Sequence, residues 1–160
     1  MRKELAVGVG LALFVAVVSF AVPGASRADS ERGDRALLGV LLGENEISPT
    51  GDSGAGDPDG FGSVAAVVDG NQLCFGITVK NLDPPVAAHI HSGKAGGNGP
   101  VVVPLTPPSA GDPGASSGCV PVDPALLDAI LSHPGEFYWN VHTGTFAGGA
   151  IRGQVFLDKK

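Results

Sequence analysis

The chain has 160 residues, among them 25 Gly, 13 Pro, four His and two Cys, and a formal net charge of −6. With 43% hydrophobic residues it can bury a core of ordinary size, and its negative balance excludes nucleic acid and anionic membrane surfaces as electrostatic partners. From the N-terminus, Arg2 and Lys3 precede an apolar run from Leu5 to Val22, and Ser26-Arg27-Ala28 places small residues where a signal peptidase cuts. Residues 1–28 therefore read as a secretory signal peptide. An uncleaved membrane anchor is the competing reading, because eighteen apolar residues just suffice to span a bilayer. Removal of 1–28, which carries Arg2, Lys3 and Arg27 against Glu4, leaves one domain of 132 residues with a net charge of −8.

Residues 29–35 read as a short N-terminal segment, 36–157 as the domain and 158–160 as a tail. Arg35 to Gly43 is the first candidate strand; its run of Leu37, Leu38, Val40, Leu41 and Leu42 lacks alternation and predicts burial on both faces. The stretch Asp52 to Gly60 holds Asp52, Asp57 and Asp59 but lacks the further ligands of a calcium loop, and reads as a solvated acidic loop. Phe61 to Asp69 and Gln72 to Lys80 flank Asp69-Gly70-Asn71 and form a hairpin. In the second strand Leu73, Phe75, Ile77 and Val79 alternate with polar or small residues, which puts Cys74 on the less apolar face. A strand through His89, a turn at Gly93 to Gly99 and a strand from Pro100 to Leu105 follow. Gly93-Lys94 lacks the Ser or Thr that a phosphate-binding loop would need after its Lys. Pro107 to Gly118 reads as a polar loop whose end is anchored by a Cys74 to Cys119 disulfide, the simplest fate of two cysteines in an oxidising compartment.

Asp123 and Pro124 open the single convincing helix, with Leu126, Leu127, Ile130 and Leu131 as its apolar stripe and Pro134-Gly135 as its stop. Glu136 to Thr143 and Ala150 to Leu157 close the chain as strands joined by Gly144 to Gly149. The expected fold is all-β: an antiparallel two-sheet sandwich or small barrel of seven to eight strands with one short helix.

Three of the four histidines fall in two strands. Alternation places His89 and His91 on one face with Ile90 on the other, and it separates Phe137, Trp139 and Val141 from Tyr138, Asn140 and His142. If these strands are neighbours, three imidazoles meet on a rigid sheet. Three readings stay open: a copper or zinc site built from His89, His91 and His142; a structural network in which they bond Asn140, Tyr138, Arg152 or the backbone; and a metal-free ligand pocket. His133 follows the helix and reads as a helix-end residue.

The segments Ala88-His89-Ile90-His91, Asn98-Gly99-Pro100-Val101-Val102, Asn140-Val141-His142-Thr143 and Ile151-Arg152-Gly153-Gln154, with Leu41 to Glu46 as an opening strand, resemble the CHRD domain, named for its occurrence in chordin. The resemblance spans about residues 36 to 157 and is similar to a stand-alone bacterial form. It implies a secreted all-β module; in chordin such domains belong to a protein that binds secreted growth factors. The family usually carries Glu before Ile-Arg-Gly-Gln, and here that position is Ala150, so a carboxylate partner for Arg152 is missing there. The His-x-His strand and the later Val-His are also similar to copper-zinc superoxide dismutases, but a fourth copper histidine and the zinc-binding loop have no counterpart.

The expectation is thus a secreted binding module without demonstrated catalysis, carrying Tyr138, Asn140, Arg152 and Gln154 as ligand-binding residues beside the histidines. The alternative is a copper or zinc protein or metalloenzyme using His89, His91 and His142. The partner, an extracellular protein or a small ligand, is not identified by sequence; a membrane enters only through an uncleaved N-terminus.

Overall fold

The structure is a computed structural model that describes residues 35–158; the signal-peptide reading, most of the 29–35 segment and the last two residues lie outside it. Nine strands occur in the order β1 (Ala36–Leu42), β2 (Phe61–Asp69), β3 (Gln72–Lys80), β4 (Pro85–Ser92), β5 (Val101–Leu105), β6 (Gly114–Pro121), β7 (Phe137–Thr143), β8 (Ile151–Gln154) and β9 (Phe156–Leu157). Helix α1 (Pro124–Ser132) stands between β6 and β7. All pairings are antiparallel, in one sheet of order β5-β4-β7-β8-β1-β2-β3-β6, with β9 on β1. The sheet curls into a nearly closed barrel, and Ser116 on β6 reaches the Thr106 carbonyl just past β5 at 2.8 Å. Of the two expected layouts, the small barrel is the one formed.

Hydrophobic burial explains the curl. Alternate residues of the central strands, among them Leu37, Leu41, Val64, Val68, Leu73, Ile77, Ile90, Val103, Trp139, Val141 and Ile151, point inward and are almost fully buried. Leu127, Ile130 and Leu131 of α1 join them, and Asp123 caps that helix by accepting from the Ala125 and Leu126 amides at 2.9 and 3.2 Å. Trp139 crosses the interior to donate to the Leu38 carbonyl at 3.2 Å, over Gly39, where any side chain would collide with the indole. Among the described residues no helix is long and apolar enough to cross a membrane.

Three expectations need correction. The first strand is not buried on both faces: Leu37, Gly39 and Leu41 face the core, while Val40 on the outer face is 57% exposed. Nor is Pro107 to Gly118 all loop, since Gly114–Pro121 forms the edge strand β6, paired with β3 from Gln72↔Pro121 to Val79↔Gly114. Its small, exposed residues show no apolar alternation, because the strand is held by backbone hydrogen bonds and by the Cys74–Cys119 disulfide, which joins directly opposed positions of the two strands. The last strand also breaks at Val155. Its first half pairs with β7, and Phe156–Leu157 turn to β1.

Candidate metal centre

Strand β4 lies between β5 and β7, and register sets its neighbours across β7: Ala87 opposite His142, His89 opposite Asn140 and His91 opposite Tyr138. Because Ile90, Trp139 and Val141 must be inside the barrel, His89, His91, Tyr138, Asn140 and His142 are forced onto its outer face. Arg152 and Gln154 continue that face on β8, opposite Asn140 and Tyr138. The loops after β1, after β4 and after β7 fold over it. For this reason β7 is buried on both sides, apart from a half-buried His142.

The three histidines converge. One ring nitrogen from each lies within 4.8 Å of the others, and His89 Nδ1 is 3.3 Å from His142 Nε2. The far nitrogens are anchored to the backbone: His91 Nδ1–H donates to the Gly99 carbonyl at 2.9 Å and His142 Nδ1–H to the Ala147 carbonyl at 3.1 Å. A neutral imidazole carries one N–H, so both Nε2 atoms keep their lone pairs, and the His89 Nδ1–H donates to His142 Nε2. Burial pushes all three rings below the usual imidazole range. For His89 the other two histidines add to this, while for His91 and His142 the backbone bond partly opposes it. The rings are therefore neutral at pH 7, the form that binds metals. His133 is apart from them, exposed at the end of α1.

Behind the histidines lies a stack. Tyr138 lies parallel to His91 at 4.8 Å, and the Arg152 guanidinium sits 3.4 Å from the centre of the Tyr138 ring. Arg152 is buried, and its terminal groups donate to Asn98 Oδ1 at 3.1 Å and to the carbonyls of Lys94 at 3.2 Å and Gly97 at 2.6 Å. Gln154 donates to the carbonyls of Gly93 and Gly135 at 2.7 and 2.8 Å, and the Tyr138 hydroxyl bonds the backbone of Gly99. Asn98 in turn holds the Ile47 and Ser48 carbonyls at 3.0 and 3.1 Å. Tyr138, Arg152 and Gln154 thus spend these groups on fixing the 93–99 loop, whose Gly99 carbonyl orients His91. A cavity of about 310 Å³ between the 44–53 and 95–96 segments includes Arg152 and Gln154 in its wall.

Glu46, which the sequence places in the opening segment of the resemblance but to which it assigns no role, belongs to the same region. It is 2% exposed, and burial raises its carboxyl to about 7 against the opposing effects of Arg152, the Asn140 side chain and the Ile47 backbone. It supplies the carboxylate beside Arg152 that Ala150, itself buried, does not. Gly149 makes room for it: with φ +143° and no Cβ, its backbone abuts the Glu46 carboxylate. The one positional signal, five residues past the buried strand residue Leu41, does not distinguish a carboxylate folding inward from one facing water. The acidic loop is engaged locally, with Asp52 accepting from Thr50 and Ser48 at 2.7 and 3.2 Å.

The family model of the CHRD domain matches residues 38–155. No curated protein and no solved structure matches the chain.

Proposed function

The chain belongs to the CHRD domain family, and from that premise we propose that it is an exported binding module whose bound species is a transition-metal ion, copper or zinc, held by His89, His91 and His142. The observation that carries the reading is nitrogen spacing. One nitrogen from each of the three rings lies within 4.8 Å of the others, and an ion with bonds of about 2.0–2.1 Å to nitrogen in tetrahedral geometry draws its ligands to about 3.3 Å apart, so the rings would close by no more than about 1.5 Å. Anchoring of the far nitrogens to backbone carbonyls supports it further, since that is how proteins fix the tautomer and orientation of metal-binding imidazoles. To offer Nδ1 to an ion, His89 would carry its proton on Nε2, and the ion would take the place of the hydrogen bond between the two rings. Imidazole donors suit copper and zinc over calcium or magnesium. The remaining histidine, His133, is exposed at the end of α1 and is not part of the cluster, which favours simple metal binding over a dismutase site with four histidines on copper. Export is supported by the signal-peptide reading, the family and the Cys74–Cys119 disulfide.

Elemental analysis of the purified, unsupplemented protein tests the proposal, followed by titration with Cu²⁺ and Zn²⁺. The expected result is close to one ion per chain, lost in His142→Ala and in His91→Ala. A ligand at a hundredfold excess over its Kd stabilises by about 2.7 kcal/mol, so the wild-type melting temperature rises by several degrees at neutral pH. No rise with either ion at tenfold molar excess overturns the proposal.

A further inference from the structure

Three buried side-chain atoms among the described residues lack a hydrogen-bond partner: His91 Nε2, Asn140 Oδ1 and Glu46 Oε1. They belong to one region, on or against the outer face of β4 and β7, and their residues are 9%, 3% and 2% exposed. Unpaired polar atoms at such burial cost free energy unless something else satisfies them.

Two of them are acceptors outright, and the third is an acceptor when its carboxyl is ionised. The His91 proton is on Nδ1, bound to Gly99. Asn140 Oδ1 is an amide carbonyl oxygen, which can only accept. Glu46 Oε1 is a carboxyl oxygen. The donors nearby are occupied, since the terminal groups of Arg152, the Gln154 amide and the Tyr138 hydroxyl are bonded to the 93–99 loop or its neighbours. An anion would find acceptors where it needs donors. The species that fits must bring positive charge together with hydrogens to donate. A hydrated cation does both, and the convergence of three imidazole nitrogens selects a transition-metal ion over an ammonium group.

On the reading that the three imidazoles hold a metal, we infer that the ion keeps a water in a further coordination position and that Asn140 is the positioning residue that accepts a hydrogen of that water. Asn140 has the placement for it. It lies directly opposite His89 across the β4–β7 ladder and two residues from His142 on the same face. Three protein ligands leave such a position open on zinc or copper. An exchangeable water there makes the site a receptor for small ligands that can displace it, a property that a closed structural metal site lacks.

The test uses the purified chain loaded with Cu²⁺, with copper content measured in every sample. Solvent proton relaxation reports a coordinated water, and azide titration, followed through its charge-transfer band with copper, reports how firmly that water is held. Asn140→Val and Asn140→Thr have the same shape and differ in one acceptor oxygen. Per bound copper, azide is expected to bind about tenfold tighter to Asn140→Val than to wild type, as the displaced water has lost a charge-assisted hydrogen bond. Asn140→Thr is expected to stay within about threefold of wild type. Equal azide affinities in the two variants overturn the inference, as does copper bound to wild type without a coordinated water. If neither variant folds, the relaxation of wild type decides. Failure of wild type to bind copper or zinc at all instead overturns the metal reading on which the inference rests.

Discussion

Glu46→Gln isolates the energetic cost of the buried carboxyl. Burial raises the Glu46 pKa from 4.5 to about 7 in the folded protein, so between these values the native state holds a proton that the unfolded chain has released. Stability from this group is therefore present in full below pH 4.5 and is lost as pH rises towards 7, the reverse of a salt-bridged carboxylate. At roughly 1.4 kcal/mol per pKa unit, the penalty above pH 7 reaches about 3 kcal/mol. Glutamine keeps the shape and never ionises. The difference in unfolding free energy, variant minus wild type, should thus grow by about 3 kcal/mol between pH 4.5 and 8. The three histidines act in the opposite sense: their folded pKa values are lowered, so their contribution is present above the unfolded value near 6.5 and falls away under acid. They occur in both proteins and cancel in the difference. Urea unfolding in the presence of EDTA at four pH values measures it. A difference that stays flat within about 1 kcal/mol across the range refutes the placement of Glu46 as a buried, poorly compensated carboxyl.

Gly39→Ala drives a methyl group into Trp139 and Val64, and should cost about 2–3 kcal/mol as read by urea unfolding; a variant within 0.5 kcal/mol of wild type, about the noise of such comparisons, would show that the indole yields freely. Replacing Cys74 and Cys119 with alanine opens a cross-link between residues 45 apart in sequence and should lower stability by up to about 4 kcal/mol on the chain-entropy account. If hydrogen exchange in the double variant leaves β6 as protected as before, the disulfide is not what holds that edge. Copper affinity, measured by competition titration, should stay level from pH 8 down to the ordinary imidazole range near 6.5 and fall only below it, because the folded rings resist protonation. A decline already under way at pH 7.5 would contradict the geometry of the buried rings.

Much of this molecule is legible from the chain alone, and the reason is local. A pleated strand sends neighbouring side chains to opposite sides whatever surrounds it, so the sorting of His89 and His91 from Ile90, and of Tyr138, Asn140 and His142 from Trp139 and Val141, follows from spacing. The Asp69 to Gln72 turn, the Asp123-capped helix and the cysteine pair are local or compositional signals of the same kind. Partners decide the rest. Gly114–Pro121 is a strand because the β3 edge offers it a ladder, and none of its own residues demands that. The run through Val40 is exposed on one side because curling into a barrel leaves the outer face of β1 largely uncovered. Convergence of the three imidazoles required β4 to pair with β7 across the 44 residues between them, a register that no alternation contains. Glu46 was the least legible of all. A carboxylate after a strand ordinarily faces water, and only the closing of the 93–99 and 144–149 loops over Arg152 and Asn140 made its burial possible.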